Sequence, residues 1–120
     1  MRFATLVLIA TASVVGFGQS ETVYHPGNGV TLPSVVKEVR AGYTKEAKDQ
    51  RIEGIVLMDC VVKADGAVGD VTVSRSLDAI YGLDREAIAA LKQWQFRPGM
   101  KDNKPVAVQV AVEMTFTLKD

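Results

Sequence analysis

One histidine, one cysteine and one tryptophan stand among 120 residues, and these scarcities remove whole classes of chemistry. A lone Cys60 cannot close an internal disulfide, and nowhere do Cys and His residues have the spacing of a metal site. Set inside an apolar run, Cys60 reads as a small core residue rather than a nucleophile. His25 lies among Pro26, Gly27, Asn28 and Gly29, too loosely held a position for the base of a Ser-His-Asp or Cys-His arrangement. Charge of one sign is also missing: 14 basic residues balance 14 acidic ones, and Lys37 to Arg51 mixes both. That excludes the basic stripe a nucleic acid or an anionic membrane surface would need. The carboxylates of Asp59, Asp65, Asp70, Asp84 and Glu86 are accounted for as strand-edge, turn, bulge and helix-start residues rather than as an acid/base pair. No catalytic residue, metal or cofactor is therefore expected, and no small-molecule substrate is evident.

Long apolar runs are scarce too. Phe3 to Phe17 is the longest, and as a helix it would reach about 22 Å against a hydrocarbon core of about 30 Å. Preceded by Met1 and Arg2, and followed by Gly16-Phe17-Gly18 with small residues at both cleavage positions, residues 1–18 read as a secretory signal peptide. The alternative is a short membrane anchor at the amino terminus. Residues 19–32, punctuated by Pro26, Gly27, Asn28 and Gly29, are expected to be a flexible lead-in. The remaining 33–120 is expected to form one domain, because 48% hydrophobic content suits a packed core and argues against disorder.

Within that domain the patterning changes period several times. Val35, Val36 and Val39 can form a short additional strand. Thr44 suits the N-cap of a helix over Lys45 to Gln50, with Glu46 in its first turn and with Tyr43 and Ala47 facing the core. Gly54 ends the helical pattern. Ile55 to Val62 is then almost continuously apolar, the mark of a central strand covered on both faces, with Asp59 near an opening or an edge. Asp65 and Gly66 form a hairpin turn, and the step from Val68 to Val71 breaks the alternation of the return strand, so a bulge is expected at Gly69 and Asp70. A second helix is expected to start at Asp84 as N-cap, with Leu83 and Ile88 as a hydrophobic staple. Its stripe of Ala87, Ala90, Leu91 and Trp94 should lie on the sheet, with Phe96 packed beside Trp94 and Pro98 forbidding further helix.

The chain ends on strict alternation. Val106, Val108, Val110, Val112, Met114, Phe116 and Leu118 share one face, while Ala107, Gln109, Ala111, Glu113, Thr115 and Thr117 share the other. Such a strand extends roughly 40 Å, longer than a small sheet pairs, so part of its edge should lack an intramolecular partner and can accept another strand. The fold class is α+β: a small antiparallel three-stranded sheet, with a short extra strand at its amino-terminal side and two helices packed on one face.

The series Tyr43-Thr44-Lys45-Glu46-Ala47, Gly54, Ala64-Asp65-Gly66, Val71 to Ser76, Leu83 to Ala87, Trp94-Gln95-Phe96-Arg97-Pro98 and the valine-rich terminal strand resembles the TonB carboxy-terminal domain family over roughly Pro33 to Leu118. Thr44 stands where that family often has Pro, and Gln95 where it often has Arg. The resemblance implies a stand-alone periplasmic domain of a Gram-negative envelope, associated with TonB-dependent transmembrane transport. Its partner would be the TonB box of an outer-membrane transporter, a short peptide added beside the last strand. Val108, Val110, Val112, Met114, Thr115, Phe116, Thr117 and Leu118 would form the peptide-binding edge, with Tyr43 flanking it. If the amino terminus is an uncleaved anchor, the domain would instead be held at the inner membrane, facing the periplasm. Only about a dozen residues, at most about 40 Å of extended chain, lie between Gly18 and Val30, so a force-transmitting role is not expected of this chain alone. A second expectation from the exposed edge is self-association into a homodimer, giving an envelope scaffold.

Overall fold

The computed structural model describes residues 22–119; the expected signal peptide at 1–18 lies outside the described residues. In chain order the elements are β1 (Val23–Tyr24), β2 (Ser34–Lys37), α1 (Lys45–Asp49), β3 (Gly54–Val62), β4 (Val68–Arg75), α2 (Leu83–Leu91), β5 (Gln95–Arg97), β6 (Gly99–Lys101) and β7 (Lys104–Phe116). The expected order of helix, strand, strand, helix and strand is present, with four short strands added around it.

The centre of the main sheet is β3. It pairs antiparallel with β4 on one side and with β7 on the other, the latter in unbroken register from Gly54↔Phe116 to Val62↔Val108. Alternation then sorts the side chains. Val56, Met58, Cys60 and Val62 are buried and join Met114 and Phe116 of β7, Ala47 of α1, and Leu83, Ala87, Ala90 and Leu91 of α2 in one core. Burial of each large aliphatic side chain there contributes roughly 1.5–3 kcal/mol. Both helices thus cover the same face.

The opposite face of β3 is only partly covered, and Ile55 remains 43% exposed. The expectation of cover on both faces fails because both helices supply apolar stripes to a single side. Asp59 accordingly sits mid-strand on the open face, half-buried. A β4 bulge falls between the partners of Cys60 and Val62, the stretch containing Gly69 and Asp70, and a second shift lies between the partners of Leu57 and Met58.

Turns fix the register. At Gly66, φ is +89° and a Cβ would come within 2.1 Å of the Phe96 carbonyl oxygen, while the Phe96 N–H donates to the Gly66 carbonyl at 2.9 Å. Glycine is needed there for both backbone conformation and space. Asp65 accepts the Ala67 N–H at 2.9 Å, as an Asx turn does. Asp102 and Asn103 both have positive φ, matching a two-residue hairpin turn between β6 and β7.

Helix starts follow the sequence in one case and depart from it in the other. Thr44 caps α1 by accepting the Ala47 N–H at 3.1 Å. The start of α2 is different: its N-cap is Gly82, at φ 101°, so Leu83 lies inside the helix, fully buried, and Asp84 is not the cap. Buried Asp78 does that work instead. Its carboxylate accepts the N–H groups of Ile80, Tyr81 and Leu83, and its main-chain carbonyl accepts the Asp84 N–H. Asp84 reaches back to the loop, accepting from Ser76, Leu77 and Asp78.

The segment read as a flexible lead-in is docked over its described part, from residue 22 onward. β1 runs parallel to β7, with Val23↔Ala107 and Tyr24↔Val108. The Thr31 N–H donates to the Met100 carbonyl at 2.9 Å, and the Met100 N–H donates to Thr31 Oγ1 at 2.9 Å. Lys101 Nζ stands 5.9 Å from the Tyr24 ring centroid, a cation–π contact. The expected short strand around Val35 is β2, but it pairs with β5 in a separate two-stranded sheet instead of joining the main one.

Candidate functional site

The outer edge of β7 is where this chain offers unpaired backbone, and the direction of each peptide group follows from three contacts on β3. The Leu57 carbonyl accepts from Ser74 Oγ on the β4 side at 3.2 Å. The Val61 carbonyl faces Gly69 of β4, and the Lys63 N–H donates to Ala67 across the hairpin at 2.8 Å. Odd-numbered residues of β3 therefore point toward β4 and even-numbered ones toward β7. By the register, even residues of β7 pair inward with β3. Ala111, Glu113 and Thr115 turn their N–H and C=O groups outward, with Gln109 at the boundary where β1 ends.

Backbone direction divides the edge drawn from sequence. Val108 is covered by Tyr24 of β1. Val110, Val112, Met114 and Phe116 give their backbone to β3 and their side chains to the core side, and Thr117 and Leu118 follow the end of β7. Of the residues expected at the edge, Thr115 alone directs its peptide groups outward. Gln109, Ala111 and Glu113 went unrecognised as backbone contributors because side-chain alternation shows which face is buried, not which neighbour a peptide group meets.

Two continuous troughs run along this edge. The first, about 870 Å³, lies between Glu113 to Lys119 and the segment carrying Glu38, Arg40 and Tyr43, with Lys48 of α1 at its side. Charges of both signs line it. The second, about 490 Å³, lies between Val110 to Glu113 and a wall made by Leu32, Pro33, Val35, Trp94 and Phe96. Trp94 and Glu113 border both.

Trp94 builds the ridge between them. It lies three residues past the end of α2 rather than in the helical stripe expected to carry it; there it packs against the core, part-buried, and borders both troughs. Its Nε1–H donates to the Val39 carbonyl at 2.9 Å, tying the segment after β2 to the end of α2. Phe96 is buried, and its ring lies 6.1 Å from that of Trp94. Tyr43 flanks the other end. Its ring meets Phe116 edge to face at 5.5 Å, and its hydroxyl donates to the Ile52 carbonyl. Desolvation, with Glu53 adding and Arg51 opposing, raises the Tyr43 pKa, so the phenol stays a neutral donor.

The remaining expected structural residues do not form a site. Gly54 opens β3 against Leu77, Asp65 and Gly66 hold the hairpin, and Pro98 separates β5 from β6. Cys60 is buried in the core with its thiol pushed up to about 11 by desolvation and by Asp59, whereas His25 is exposed on the lead-in. Among the described residues no group of His, Cys, Asp and Glu could hold a metal ion. Nor is any described helix long and apolar enough to cross a membrane.

Comparisons with known proteins place the chain in a family and a fold. The family described as the Gram-negative bacterial TonB protein C-terminal matches residues 39–118. Protein TonB of Vibrio cholerae serotype O1 is 32% identical over 92 residues, which make up 75% of this chain and 37% of that protein. The chain thus spans well under half the length of the curated relative it matches. The solution NMR structure of the Pseudomonas aeruginosa TonB CTD superposes with a TM-score of 0.60 at 22% identity, covering 85% of this chain and 98% of that one, and so shares the fold.

Proposed function

Since the chain belongs to the TonB carboxy-terminal domain family, we propose that it is a non-enzymatic periplasmic binding domain that takes the TonB box of an outer-membrane transporter as an added strand along β7. The observation that carries this reading is the outward row of peptide groups at Ala111, Glu113 and Thr115. Exposed strand edges are normally blunted by charge, proline or a covering segment. β1 covers this edge only as far as Val108, and Pro26 lacks the N–H with which a parallel ladder would continue. The open length that remains suits a short extended peptide, whose main chain would satisfy the edge while its alternate side chains entered the troughs.

The test is titration of the isotopically labelled protein with synthetic TonB-box peptides, following amide shifts. The amides of Ala111, Glu113 and Thr115 should move together and saturate. Saturation with these three amides unmoved at millimolar peptide would overturn the reading.

A further inference from the structure

We infer that the apolar trough beside β7 is a side-chain pocket that selects one large apolar residue in the added strand. This rests on strand addition at the same edge and goes further, assigning the chemistry of the occupant. The trough has two unlike walls. On one side stand the outward peptide groups of Ala111 and Glu113, which need hydrogen-bond partners. On the other stand Leu32, Val35, Trp94 and Phe96, of which Leu32 is 62% exposed and Val35 45% exposed.

A polar small molecule would leave the apolar wall wet, and a purely apolar one would leave the backbone unpaired. An extended peptide satisfies both. Side chains of an added strand alternate between the two faces of the sheet. Those on the face of Val110 and Val112 must enter the trough, because both valines line it. Next along the edge, the same face opens on the trough bearing Glu38, Arg40 and Lys48. There charges of both signs stand among Val39, Tyr43 and Met114, so the residue two positions away in the added strand meets a mixed setting, and the sharpest demand for an apolar side chain falls on the position facing Leu32, Val35 and Trp94. A second copy of this chain is a poorer occupant, since it would bring its own wall of β2 and Trp94 to the same trough.

A host peptide of alternating Thr and Ser, carrying one guest residue moved along its length, tests this whatever register the peptide adopts. Phe or Leu at one position should bind about tenfold or more tighter than Ala or Asp there, the preference expected from burying a large apolar side chain. At the positions on either side the preference should vanish. Leu32→Ser and Val35→Asp, both at exposed positions, should erase the preference, so that Phe-, Leu- and Ala-guest peptides bind alike. Edge amides that shift with every guest at equal affinity would overturn the pocket and leave strand addition standing. Absence of edge shifts with any guest would overturn both. Sedimentation showing a dimer that excludes peptide from the trough would also overturn the pocket.

Discussion

Asp78 and Asp84 hold one loop from two directions, and they show how a carboxylate can serve backbone in place of a cation. Partial burial alone would raise the Asp84 carboxyl, but hydrogen bonds from the Asp78 N–H, the Ser76 hydroxyl and the Leu77 N–H outweigh it and hold the carboxyl below its ordinary value. A depressed folded-state pKa means that the stabilisation is complete above the ordinary carboxylate range and is lost as pH falls through the depressed value. Asp84→Asn should lower stability at pH 6 by about 1–2 kcal/mol, and the gap to the wild type should narrow on acidification. Urea midpoints measured from pH 6 down to pH 3 check this. A gap independent of pH would mean that the carboxylate charge plays no part. The cap role at Asp78 was hidden in the sequence because the residue lies well upstream of the helix and its carboxylate acts across an intervening turn, whereas local capping rules look one residue ahead of the first turn.

At the scale of elements, β7 has three successive environments. Lys104 to Val106 close a hairpin with β6, Ala107 and Val108 carry β1 on the outside, and the remainder offers the open edge while pairing inward with β3. Period-two patterning made the strand itself legible, including its buried valine, methionine and phenylalanine face. It could not show the partner change, since β1 and β6 are too short to carry a pattern of their own. Thr115→Pro is expected to remove an outward N–H without touching a β3 hydrogen bond. Peptide affinity should fall about tenfold, the worth of a hydrogen bond lost from the added ladder, while the thermal midpoint moves little. Met114→Pro, whose N–H faces β3, should instead unfold the sheet. Loss of fold in both variants would show that the outward assignment is wrong.

Over the whole molecule, one core holds the sheet and both helices, and Cys60 lies within it on the central strand. Its thiol should therefore report global opening. At pH 8 the native protein is expected to resist alkylation, and the labelling rate should match the rate of global unfolding measured by denaturant jump. Fast labelling without unfolding would show that β3 is not sealed. Because burial raises the thiol to about 11 from an ordinary value of 9.0, this group's contribution to stability is complete below about pH 9. It is lost as pH rises through the folded value, since the unfolded chain ionises first.

By itself, the sequence determined what depends on neighbours along the chain. That includes the alternation of β7, the Thr44 cap, the Gly66 turn and the α2 stripe, together with the order and spacing that tie the chain to its family. Each is a local conformational or amphipathic preference that a single stretch of residues expresses. Tertiary structure alone decided the docking of the lead-in on β7, the pairing of β2 with β5, the cap supplied by Asp78 and the trough between Val35, Trp94 and the open edge. The first, second and fourth join segments distant in the chain, where the stabilising contact exists only once both partners are positioned by the same core, whereas the Asp78 cap depends on the conformation of the turn between it and α2. The functional edge needed both: alternation defined the strand, and the hydrogen-bond register decided which of its peptide groups face outward.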